Sequence, residues 1–207
     1  MSTDCVIRLI VGLGNPGDKY LGTRHNSGNE FVRKLACQLK SSELKKNVKL
    51  FSNASRLSNS NGDLHLIIPD TFMNESGRSV AAYSSFFKIN PREILIAHDD
   101  LDIPAGAAKF KIGGGHGGHN GLRDIIWSLG KNDDFYRLRI GIGHPGTADK
   151  VTSYVLSRPS EKDRESIDLA INEAMSLVPL LLEGDLALAM TKLNGKVFSQ
   201  TSSTETS

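Results

Sequence analysis

Several short segments of this sequence carry chemically capable residue types at high density. The string RHN at 24–26 sets His25 directly before SGNE at 27–30, a capping-box pattern that predicts a helix start. A histidine at a helix N-terminus feels the positive end of the helix dipole, which lowers its pKa and favours neutral imidazole. Neutral imidazole accepts a proton near neutral pH, so His25 suits general-base work; a structural histidine is the alternative. HDDLD at 98–102 groups three carboxylates at a strand end. They fit a solvated turn, or one of them orients an imidazole as in a catalytic triad, with Asp99 the choice for that role. No His/Cys set with zinc-like spacing accompanies them.

GGGHGGHNG at 113–121 holds six glycines in nine residues. Ordering so many glycines is entropically expensive, and a plain hairpin does not need them, so a backbone-lined binding loop is expected. His116 and His119 are three apart, as metal ligands often are, but no third ligand is evident beside them. Lys109, Lys111 and Arg123 bracket the loop, no acidic residue occurs from 103 to 123, and Arg137 and Arg139 follow. Such a surface suits phosphate contacts, or is simply a solvated face. GLGNPG at 12–17 matches G-x-G-x-x-G, yet the next helical pattern starts about ten residues late for dinucleotide binding, and a turn is the plainer reading. Asn15, Asn74 and Asn120 offer amides for a ligand, or serve as caps and turn residues.

These residues need a scaffold. Apolar runs predict strands at 6–11, 64–68, 93–97, 108–112 and 136–142. Helical spacing predicts helices at 28–40, from 74 to about 87, at 122–129, and at 161–183 with a kink at Pro179. The stretch 144–159 shows no period and reads as a mobile loop. Strands alternating with helices give an α/β fold: a three-layer α/β/α sandwich around a mixed, mostly parallel sheet. Ligands bind such sheets beyond the carboxyl ends of the strands, so Asn15, His25, Asn74, Asp99 and Asn120 are expected on one rim. The 207 residues suit one domain over 1–199, with a frayed Ser/Thr-rich tail at 200–207.

Hydrophobic residues at 39% and charged residues at 23% exclude global disorder, and a net charge of +2 excludes a polybasic protein. Cys5 and Cys37 are too few for a disulfide scaffold, and both read as buried thiols. The N-terminal segment lacks a basic n-region, and no apolar run approaches the ~18 residues of a membrane span, so the cytosol is the expected location.

Six blocks in order, GLGNPG (12–17), TRHNSG (23–28), FMNESG (72–77), HDDLD (98–102), KFKIGGGHGGHNG (109–121) and RLRIGIGHPG (137–146), resemble the bacterial-type peptidyl-tRNA hydrolases. The resemblance runs from about residue 6 to 193. It implies an esterase that cuts the bond between a peptide and the 3′ ribose of tRNA. His25 would be the general base and Asp99 its orienting partner. Asn15, Asn74 and Asn120 would place the peptide end and the reacting carbonyl, Asn120 also the water. Tyr20, Met73 and Gly117 would bind substrate in the same cleft, and Lys109, Lys111 and Arg139 would meet tRNA phosphates. The resemblance implies no metal, no organic cofactor and a monomer. A non-catalytic RNA-binding relative of the same fold is the alternative, although a pure binder would not require His25, Asp99 and the three asparagines together.

Overall fold

The computed structural model describes residues 6–41, 43–59 and 62–199; Cys5 and the tail at 200–207 lie outside these. The strands are β1 (Leu9–Gly12), β2 (Lys45–Asn47), β3 (Ser52–Asn59), β4 (Gly62–Pro69), β5 (Ile94–Asp100), β6 (Ala108–Ile112) and β7 (Tyr136–Gly141). The helices are α1 (Ser27–Gln38), α2 (Ser76–Phe87), α3 (Asn120–Ser128), α4 (Val151–Val155), α5 (Glu161–Ser176), α6 (Val178–Leu182) and α7 (Leu186–Leu193).

The strands form one sheet in the order β2-β3-β4-β1-β5-β7-β6. The inner four, β4, β1, β5 and β7, run parallel, and antiparallel pairing is confined to the two edges. Successive strand residues point to opposite faces, and here both faces are apolar. Ile10, Leu95 and Leu138 pack with Phe31 and Leu35 of α1 and Ile171 and Ala174 of α5. Leu9, Val11, Ile94 and Ile96 pack with Val80 and Tyr83 of α2 and Leu122 and Ile125 of α3. The expected α/β/α sandwich is therefore the observed one.

Helix α1 sits unusually close to the sheet. A Cβ placed on Gly28 would lie 2.1 Å from the Ala97 carbonyl oxygen, so only glycine permits this approach. That closeness brings the turn before α1, which holds His25, against the end of β5, which holds Asp99.

Several expectations needed correction. The first strand begins at Leu9 and not at residue 6. The SGNE capping box does not form: Ser27 Oγ donates to the Arg24 carbonyl at 2.7 Å, and Glu30 pairs with Lys34 and Arg164. The helix expected over 161–183 is two, broken at Leu177, with Pro179 in the first turn of α6, where its missing N–H costs nothing. Cys37 is exposed, not buried. The stretch 144–159 contains a 3-10 turn and α4 where an irregular loop was expected. Strands β2 and β3 were missed, because an edge hairpin of sequence KKN and SNASRLSN needs few apolar residues. No helix among the described residues is long and apolar enough to cross a membrane.

Candidate active site

The carboxyl ends of β1 and β5 and the N-termini of α1, α2 and α3 surround a cavity of about 1120 Å³. Its wall includes Asn15, Tyr20, His25, Met73, Asn74, Asp99, Lys111, Gly117, Asn120 and Arg139. Of the residues picked out in the sequence, Lys109 alone is not on this wall; it is exposed on the edge strand β6.

His25 lies in a 3-10 turn, Arg24–Asn26, immediately before α1. Its Nδ1 is 2.9 and 3.0 Å from the two carboxylate oxygens of Asp99. An ionised carboxylate only accepts, so Nδ1 carries the proton and Nε2 is left as a basic nitrogen. A second imidazole, which sequence reasoning did not connect to Asp99, completes the arrangement. His119 Nε2 lies 3.0 Å from Asp99 Oδ1, and its Nδ1 accepts from the Leu122 backbone N–H at 3.3 Å. His119 is thus the N-cap of α3, a role the sequence had offered to Asn120.

These contacts set the charges. Burial lowers the His25 imidazole, but the negative charge of Asp99 and the hydrogen bond to it outweigh burial, and the pKa ends above its ordinary value. This reverses the expectation that the helix N-terminus would lower it. Burial alone would raise the Asp99 carboxyl, yet His25 and His119 hold it well below the usual carboxylate range. His98, next in the chain, donates from Nδ1 to the Asp99 carbonyl at 2.7 Å and is pushed down to about 3 by burial and the neighbouring His119, so it stays neutral.

His98, His116 and His119 do not form a ligand set. His25, Asp99 and His119 do bring potential ligand atoms within 4.8 Å of one another, with the two ring nitrogens at hydrogen-bonding distance, 2.9 and 3.0 Å, from Asp99 Oδ1.

Asn15 is buried and fixed on three sides. Its backbone N–H and carbonyl pair with the Asn26 side chain at 2.8 and 3.0 Å, and its Oδ1 accepts from the Met73 N–H at 2.8 Å. That last bond assigns the amide orientation and turns Nδ2, a donor, to the ligand side. Asn26 is therefore the brace of Asn15, a role without any sequence signal. Asn74 and Asn120 are exposed and held by helix starts, Asn74 in the 3-10 turn Met73–Glu75 and Asn120 in the first turn of α3. Neither is an N-cap. Tyr20 packs edge-on against Phe72 on the same wall.

The GLGNPG segment leads into a 3-10 turn, Asp18–Tyr20, and not into a helix, which fits a turn and not a dinucleotide loop. The glycine loop at 113–118 is held by Arg137, whose Nη1 donates to the Gly115 carbonyl at 2.6 Å and whose Nη2 donates to the Gly114 carbonyl. Gly117, at φ 54°, adopts a backbone that side chains disfavour and presents bare main chain to the cavity. In the β6–β7 ladder Lys109 faces Arg139 and Lys111 faces Arg137. Directly opposed like charges are destabilising; Arg137 is buried and spent on the glycine loop, which leaves Lys109, Lys111 and the half-buried Arg139 as the cations of this face suited to an anionic partner. Arg139 also pairs with Asp100, Nε to Oδ2 at 2.6 Å. Arg24 ties the far wall down: its guanidinium donates to Ser157 Oγ and the Arg158 carbonyl and covers the Tyr154 ring.

The family model described as Peptidyl-tRNA hydrolase matches residues 9–202. The chain is 54% identical over 189 residues to a peptidyl-tRNA hydrolase of Alcanivorax borkumensis, covering 91% of this chain and 96% of that one. It is 51% identical over 188 residues, with the same coverage, to one of Actinobacillus pleuropneumoniae serotype 5b. The crystal structure of peptidyl-tRNA hydrolase from Acinetobacter baumannii superposes with a TM-score of 0.88 at 46% identity, covering 92% of this chain and 96% of that one. With a family model matched over nearly its whole length and relatives at about half identity, this chain belongs to the peptidyl-tRNA hydrolase family.

Proposed function

We propose that His25 is the general base with which this enzyme hydrolyses the ester between a peptide and the 3′ ribose of tRNA. The observation that carries this is the contact of His25 Nδ1 with both oxygens of a buried, ionised Asp99 on the wall of the cavity. Water is a poor nucleophile near neutral pH. His25 Nε2 takes its proton as the oxygen attacks the ester carbonyl, and Asp99 stabilises the imidazolium that forms. The imidazolium then protonates the departing ribose oxygen, which restores the neutral base. His119 holds Asp99 from the second side.

The negative charge that develops on the carbonyl oxygen needs donors. Asn15 Nδ2 is pre-aimed by the Met73 N–H, and Asn120 and Asn74 add amides at helix starts. Neutral amides read a peptide backbone without regard to side chains, and Tyr20, Met73 and Gly117 complete the acyl seat. Lys111, Arg139 and the outlying Lys109 receive tRNA phosphates. The reading includes a monomer working in the cytosol.

An acylated chain end offers these neutral amides an N–H and a carbonyl to pair with, whereas a free α-amine brings a charge that amides do not balance. Release of tRNA from N-acetyl-aminoacyl-tRNA, compared with the same tRNA carrying a free amino acid, tests the reading. Rapid cleavage of the first and slow cleavage of the second is expected; equal rates would remove the amide-recognition part, and cleavage of neither would remove the assignment.

A further inference from the structure

The main cavity continues into a second groove of about 520 Å³, and Asn74, Asn120 and Arg123 line both. The groove is lined also by Trp127, a residue 69% exposed, with the Lys131 ammonium 5.3 Å from the ring centroid. The fold does not use this ring, since it belongs to neither core cluster. Asn120, Arg123 and Trp127 are spaced three and four apart along α3, so they share one helix face that leads away from the acyl-binding amides. From Asn120 to Trp127 the helix rises about 10 Å, which is the span of about three residues of extended chain.

We propose that the Trp127 groove seats the peptide about three residues upstream of the ester and selects an apolar side chain at that point. This rests on the hydrolase reading above and adds a subsite to it. The ester carbonyl has two arms. The ribose arm follows the cations of the sheet edge, and none of Lys109, Lys111 and Arg139 lines the Trp127 groove. The peptide arm takes the other exit, where Ile126 and the indole offer an apolar wall. Two cations, Arg123 and Lys131, face one carboxylate, Asp124, which already accepts from the Gly77 N–H, so the groove disfavours a basic side chain.

The test uses Trp127→Ala and Trp127→Phe on two substrates that share one tRNA, N-acetyl-aminoacyl-tRNA and an N-acetyl-tetrapeptidyl-tRNA with leucine at the upstream position. A ring this exposed can be removed without unfolding the protein. Trp127→Ala should lower kcat/KM on the tetrapeptide substrate about 3- to 10-fold, mainly through KM, leave the short substrate unchanged, and be largely rescued by phenylalanine. Equal loss on both substrates would mean that the ring meets the nucleotide, and no loss on either would mean that the groove is unused; each overturns the proposal. A native chain that cleaves neither substrate would instead sink the hydrolase reading itself.

Discussion

His119 reaches Asp99 from the start of α3, Nε2 to Oδ1 at 3.0 Å, and so shares that carboxylate with His25. One buried charge is thereby fixed from two elements, and its hold on His25 is divided. A hydrogen bond to a charged group is worth about 1.5 kcal/mol, or roughly tenfold in rate if lost from the transition state. His119→Ala leaves Asp99 aligned from one side only, and that loss of alignment with His25 should lower kcat by up to about tenfold. Asp99 would then act on His25 undiluted, so the acid limb of the pH–rate profile should move to higher pH. An acid limb that moves down would show that His119 does not compete for Asp99.

Asp99→Asn should have the opposite effect on titration. Asp99 is what lifts His25 above its ordinary pKa against the pull of burial. In the native enzyme the rate should fall as pH drops through a pKa above 6.5, because the protonated ring is no base. With asparagine only the burial effect remains, so the limb should shift to lower pH while the plateau kcat drops by ~10²–10⁴-fold. Stopped-flow or quench measurements of kcat from pH 5 to 9 check both parts, and an unmoved limb would separate Asp99 from His25.

The cations of the β6–β7 face should act on binding alone. Lys111→Ala and Arg139→Ala should each raise KM and reduce the slope of log KM against log salt by about one, with little change in kcat. Lys109→Ala, outside the cavity, should raise KM less. A salt slope indifferent to all three would move the tRNA to another face.

Gly28→Ala tests the close seat of α1. Alanine gains up to ~1 kcal/mol in helix propensity. Against this, a methyl 2.1 Å from the Ala97 carbonyl oxygen must push helix and sheet apart, at a cost of about 1–3 kcal/mol or more. The clash should win, lowering the urea midpoint and pulling His25 away from Asp99. A raised midpoint would show the seat to be slack.

Much of the scaffold was legible because apolar strands covered on both faces leave continuous hydrophobic runs, as Leu9 to Val11 and Ile94 to Ala97 do. The edge hairpin was not, because β3 carries serine and asparagine and is stabilised by pairing with β4. The rim residues were found through residue type, since His25, Asp99 and the asparagines all sit where elements begin or end. Their relationships were not: the bonds of Asn26 to Asn15, of His119 to Asp99 and of Arg137 to the glycine loop span 11 to 23 residues and follow from packing. The direction of the His25 pKa was misread for the same reason. The helix dipole is a local property visible in sequence, whereas the stronger charge of Asp99 arrives from 74 residues away.

Whether His25 takes the proton from water is decided by His25→Ala, measured as release of tRNA from N-acetyl-aminoacyl-tRNA at saturating substrate, with folding checked by thermal unfolding. If it does, kcat falls by about 10²–10⁴-fold with KM nearly unchanged. A well-folded His25→Ala protein that turns over at near-native rate would show that another group takes the proton from water.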